Sequence, residues 1–140
     1  ESKLAEQLES MKKRKSKLVD PLQYEMSIQS QDLTGYVPSF GWESNPPTDK
    51  QKKDLEKRGI NPDAVESAGK AEQILRTVAQ RQISGLATPK QIRCLEKCGC
   101  LHVGGWSFDA AKNLINHIAA NGWRVPRSIT AAEYVPEVHG

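Results

Sequence analysis

The chain has 140 residues, 37% of them hydrophobic and 26% charged, with a formal net charge of +3. That suits one modest domain, or two very small ones, able to bury only a small core. There is no apolar run long enough to span a bilayer and no secretory leader pattern, so no membrane partner is expected; the odd, clustered Cys94, Cys98 and Cys100 are a poor disulfide framework and fit a reducing cytosol, so a cytoplasmic protein is expected, and so mild a positive charge is by itself weak evidence for nucleic acid.

Residues 1–19 place Leu4, Leu8, Met11 and Leu18 on one stripe amid KKRKSK, which predicts a basic N-terminal helix ended by Pro21. The chain opens at Glu1 and reads as a piece of a longer protein. Residues 20–47 show no clear period but contain Tyr24, Tyr36, Phe40 and Trp42. A disordered linker rarely holds so many aromatics, so part of this irregular arm is expected to fold back onto the residues C-terminal to it.

From Thr48 the sequence repeats itself at an offset of forty. TDKQKKDLEKRG becomes TPKQIRCLEKCG at Thr88, and the match runs on without a gap: Ser67 falls on Ser107, Ala71 on Ala111, Ile74 on Leu114 and Val78 on Ile118. Agreement at polar and apolar positions alike reads as a tandem duplication over 48–87 and 88–127. Thr48 and Thr88 are N-cap candidates, each with Gln at capping-box spacing. Pro89 stands where a helix tolerates a missing N–H, and Gly59 and Gly99 are natural stops.

A loop then leads to a second helix capped by Ser67 or Ser107. In the first copy, Asn61 and Pro62 predict a single helical turn within that loop. In the second, CLHVGGWS has no helix signal. Ala71, Ile74, Leu75, Val78 and Ala79, with Ala111, Leu114, Ile115, Ile118 and Ala119, have the spacing of a core-facing helix stripe. The expected fold is all-α: two helical hairpins sharing one core, preceded by the helix and the arm. A tail over 128–140 should be loose apart from Tyr134 and Val135.

The stretch DLEKRGINPDAVESAGKAEQILRTV resembles the SAP-type helix–extended–helix module, a small DNA-binding unit often attached to enzymes of DNA metabolism. Leu55, Gly59, Lys70, Ala71, Ile74 and Leu75 match its signature positions. The second copy keeps Leu95, Gly99, Ala111, Leu114 and Ile115, but has Ala110 at the position of Lys70. Over nearly the whole chain, DPLQYEMSIQSQDLTGYVPSFGW, PPTDKQKKDLEKRGI, GLATPKQIRCLEKCG and NGWRVP resemble the C-terminal region of phage and prophage DNA helicases of the DEAD/DEAH (superfamily two) type. The resemblance implies a parent motor with ATPase lobes elsewhere. This stretch has neither a phosphate-binding P-loop nor an Asp-Glu-Ala-His-type box, so no ATP chemistry and no cofactor is expected of it.

Lys50, Lys53, Lys57, Lys70, Lys90, Arg93 and Lys97 are the candidate DNA contacts. Lysines near helix starts can reach phosphates, and a duplicated basic edge can track a backbone without reading its sequence. The plainer reading is a solvated helix face, with Glu56 and Glu96 diluting the charge. A protein–protein role is the other expectation, with helix faces or the arm docking on a replication partner or on the helicase core.

Cys94, Cys98, Cys100 and His102 are possible zinc ligands, but their spacing is tighter than a finger. Their counterparts Asp54, Arg58, Ile60 and Pro62 include no matching ligand set. Free, partly buried thiols and no metal are therefore expected. His102, His117 and His139 pair with no nucleophile at a motif spacing, so no catalytic residue is assigned. Trp106 and Trp123 are expected to plug the core, and Trp42 fits either core or surface.

Overall fold

The protein, a computed structural model, is described for residues 3–7, 17–39 and 41–136. Within these it is mostly helical, with no strand and two isolated backbone bridges. Residues 3–7 are helical. Residues 8–16, with most of the basic run, lie outside the described residues, as do Phe40 and His139; residues 17–19 are not helical, so the expected helix does not extend to 19.

Pro21 does not end a helix; it begins one. Helix α1 (Pro21–Ile28) starts behind Asp20, whose carboxylate accepts from the Gln23 N–H, with proline at a first-turn position. Helix α2 (Gln31–Thr34) and a 3-10 turn at Gly41–Ser44 come next. The stretch read as irregular is therefore partly helical. Its helices are too short to display an apolar period, and Tyr24 and Leu33 anchor them in the core.

Helix α3 (Asp49–Lys57) and helix α5 (Pro89–Lys97) both carry full capping boxes. The hydroxyls of Thr48 and Thr88 accept from the N–H groups of Gln51 and Gln91 at 3.1 Å, and each Gln side chain accepts a 3.0 Å bond from the cap's own N–H. Gly59 and Gly99 lie beyond the helix ends with φ of 85° and 96°, a region where only glycine avoids strain.

Helix α4 (Ala68–Ile83) and helix α6 (Phe108–Ala120) are capped by Ser67 and Ser107. Further bonds recur at the offset of forty. Gln51 Nε2 donates to the Ala68 carbonyl and Gln91 Nε2 to that of Phe108. The N–H of Ala68 donates to Asn45 O, and that of Phe108 to Gly85 O. Both loops contain a 3-10 turn, at Pro62–Ala64 and at Val103–Gly105. The second has no local helix signal; Val103, fully buried, pins it, and Gly104 lets it lie against the backbone of Ser27 and Ile28, which a Cβ would strike.

The buried apolar side chains form one cluster, with Leu55, Ile60, Ile74 and Val78 from the first segment and Ile92, Leu95, Leu114 and Ile118 from the second. Each stabilises the fold by about 1.5–3 kcal/mol through area removed from water. The arm completes the cluster. Val19 pairs with Ile60 through bonds to Gly59 O and from the Asn61 N–H, and Tyr24 is only 1% exposed. Ser27 donates to the Glu96 carboxylate at 2.8 Å, tying α1 to α5.

Trp106 is in the core as expected, its ring 5.5 Å from that of Tyr134. Trp123 is not: it is 65% exposed, beyond the end of α6. Ile129, Ala131 and Tyr134 of the C-terminal segment pack on the core instead, so that segment is held at more than Tyr134, while Val135 is exposed.

Candidate nucleic-acid interface

Lys50, Lys53 and Lys57 recur at i, i+3 and i+7 of α3, so they share one stripe, turned away from buried Leu55. All three are exposed, and none forms an ion pair among the described residues. Lys90, Arg93 and Lys97 occupy the same stripe of α5. Lys90 and Lys97 are exposed, about 10 Å apart along the axis at 1.5 Å per residue. Arg93 between them is half-buried and donates to the Leu18 carbonyl at 3.1 Å, so the second stripe is partly tied to the arm.

Lys70 is placed differently. Its ammonium lies 2.7 Å from the buried carboxylate of Glu25 and also donates to the Leu33 carbonyl. A charge so engaged holds the arm to α4 and has little left for an external phosphate. The surrounding hollow, about 610 Å³, is roomy yet of mixed sign. Asp20, Glu25 and Glu66 line it, and among the described residues Lys70 is the one basic residue in its wall. It does not attract anions as a set of free cations would.

A smaller hollow, about 220 Å³, lies where the two segments meet. The end of α3 supplies Lys57 and Arg58, the end of α4 supplies Arg81 and Gln82, and the start of α5 supplies Thr88, Pro89 and Lys90. Tyr24 reaches it from the arm. Among the described residues no carboxylate lines it. The methylene stem of Lys90 lies against the backbone of Gly59, which sets where its ammonium emerges.

Two groups at this cleft, Tyr24 and Arg81, were not singled out as functional from the sequence. Arg81 did leave a signal: it continues the stripe Ala71, Ile74, Val78, so a guanidinium stands where the period calls for an apolar residue. One of its terminal nitrogens donates to Gly104 O at 2.7 Å, while its Nε is buried with no partner. The Tyr24 hydroxyl is likewise buried, beside Arg81. Burial pushes the Tyr24 phenol above its ordinary range, and the nearby Arg81 guanidinium partly opposes that shift. The guanidinium acts on the phenol both through its charge and as a side-chain donor, so each of the two buried groups has the other beside it.

Cys94 and Cys98 are half-buried and Cys100 is buried, all as free thiols. Burial, more than any neighbour, raises the Cys94 and Cys100 pKa values above the usual thiol range, which favours the protonated form over the thiolate that zinc requires. Among the described residues no three Cys, His, Asp or Glu side chains gather to hold a metal. His102 and His117 are exposed. No helix among the described residues is long and apolar enough to cross a membrane. No protein-family model, curated protein or solved structure matches this chain.

Proposed function

We propose that this chain is a non-catalytic DNA-binding module of a DNA helicase, made of two SAP-like tandem copies that share one core and grip phosphates. The observation that carries the reading is the state of the lysines. Lys50, Lys53, Lys57, Lys90 and Lys97 are exposed and free of ion pairs among the described residues, and Lys57 and Lys90 meet in a cleft without carboxylates. Free cations break no ion pair on meeting a phosphate, and each contact releases a counterion. Lys70 drops out of the grip, and Arg93 contributes less than its position in the sequence suggests.

Fluorescence anisotropy of labelled single- and double-stranded oligonucleotides across a salt series tests this. Affinity should fall linearly in log–log salt with a slope of about three to five charges, given roughly one counterion per neutralised phosphate. Lys50→Glu with Lys53→Glu should weaken binding at least tenfold. Absence of binding at low salt would defeat the reading and leave a docking module, for which Leu22 and Met26, 60% and 62% exposed one turn apart on α1, are the apolar contact surface.

A further inference from the structure

Trp123 stands where neither burial nor backbone conformation explains a tryptophan. Its φ is 65°, in the left-handed region that glycine occupies freely and a bulky residue enters only under strain. Gly122 before it has φ of 70°, so the chain leaves α6 through two left-handed residues in a row. A core contact could offset such strain, yet Trp123 is 65% exposed and lies outside the core cluster. Strain that packing does not offset points to a use outside the fold.

The turn that carries the ring is well bonded. The Trp123 N–H donates to Ile118 O at 2.9 Å, the Gly122 N–H to Ala119 O at 3.2 Å, and Asn121 Nδ2 to Arg124 O at 2.9 Å. The indole is therefore presented from a fixed backbone, and a preorganised platform loses less entropy when a partner settles on it. Its setting is cationic. Residues 110–132 include Lys112, Arg124 and Arg127 and no carboxylate. Both arginines are exposed, and neither forms an ion pair among the described residues.

An apolar protein face is a poor complement, because such an interface buries several large side chains together. Beside the indole, Asn121, Arg124 and Arg127 are exposed and polar, while Val125 and Pro126 are half-buried. A nucleobase needs one open π face with cations near its phosphates, which this turn offers. Duplex bases already stack on one another, so the complement is a single strand. The turn is also within a strand's reach of α5. The Ala131 Cβ lies 3.6 Å from where a Gly99 Cβ would stand, just beyond Lys97. Trp123 is eight residues earlier, a span of at most about 28 Å, or about eight nucleotides at ~3.4 Å each.

We infer that Trp123 is a stacking platform for a base of single-stranded nucleic acid, with Arg124 and Arg127 taking the neighbouring phosphates. This rests on the proposed DNA-binding role and adds a strand preference to it, but the platform is separate from the lysine stripes of α3 and α5. The test is fluorescence anisotropy of the full chain with an oligothymidine spanning that reach, its abasic equivalent and a duplex of equal length. Trp123→Gly, which relieves the left-handed strain, should weaken oligothymidine binding by about fivefold or more. It should leave abasic and duplex binding within about twofold and the thermal midpoint no lower. Trp123→Leu, apolar but without a π face, should lose as much. Trp123→Tyr, which keeps a π face, should lose less than about threefold.

Unchanged oligothymidine binding in Trp123→Gly would overturn the platform, as would an equal loss on the abasic strand or full retention by Trp123→Leu. In each of those cases a loss in Lys50→Glu with Lys53→Glu would leave the DNA reading standing. A loss in Trp123→Gly with the lysine pair silent would support the platform and defeat the phosphate grip. No binding of any nucleic acid at low salt would overturn both. The direct signature of the stack is an upfield shift of the Trp123 indole N–H resonance with oligothymidine but not with the abasic strand.

Discussion

The segments over 48–87 and 88–127 are built to one local plan and wired to the rest of the chain differently. Both have the capped first helix, the left-handed glycine, the 3-10 turn and the serine-capped second helix. Several positions where they diverge are places where the arm attaches. Lys70 reaches Glu25 and Leu33 in the arm, whereas its counterpart Ala110 has no side chain that could do so. Gly104 admits the end of α1, whereas its counterpart Ala64 is exposed. Ile92 is buried where its counterpart Lys52 is exposed. Two segments of like local structure come to make different contacts when a third piece of chain packs on both, because each contact has to be made with a different side of the unit.

The largest break in that comparison should come at Lys70. Lys70→Ala leaves Glu25, 4% exposed, as a buried charge without its partner, and should cost about 3 kcal/mol in urea denaturation. Adding Glu25→Gln should recover most of the loss. Ala110→Lys should stay within about 0.5 kcal/mol, since that position is only half-buried. A silent Lys70→Ala would mean that the arm is not held there.

Gly104→Ala writes the first segment's residue into the second. The new Cβ meets backbone, which cannot swing aside as a side chain can, so a loss of about 2 kcal/mol is expected by thermal unfolding. Ala64→Gly, the reverse exchange, should cost less than about 1 kcal/mol. Thr48→Ala and Thr88→Ala test the shared plan rather than the difference, and each should lose about 1 kcal/mol. Unequal losses would show that the two caps are not equivalent.

The smallest effect is in alkali. Loss of hydration, and then the 2.8 Å bond it donates to Glu43, push the Tyr36 phenol up to about 12 from an ordinary 10.0. The unfolded chain ionises first, so stability is intact below pH 10 and declines as pH rises toward 12. Tyr36→Phe should flatten that decline in a pH series of denaturation midpoints, with no change at neutral pH beyond the lost Glu43 bond.

The helical class, the caps, the glycine stops and the buried stripes of α4 and α6 were legible because each depends on residues a few positions apart. The arm's helix was not: Pro21 is equally a stop and a first-turn residue, and only the Asp20 cap together with Tyr24's burial decides between them. Trp123 was misplaced because a large aromatic near a helix end fits a core plug equally well, and distant Ile129, Ala131 and Tyr134 pack on the core in its stead. Of the seven cations picked out as DNA contacts, sequence could identify charge and helix but not partner.

The chain by itself thus determined where helices begin and end, which stripes face inward, and that one phrase is written twice. Those are short-range matters of capping, backbone freedom and period, settled within a turn or two. Only the tertiary structure decided that Lys70 is turned to Glu25, that Arg93 is held by Leu18, and that Lys57, Arg58, Arg81 and Lys90 line one hollow with Tyr24. A charge acts through space, and the groups it meets are set by how distant segments pack rather than by what stands beside it in the sequence.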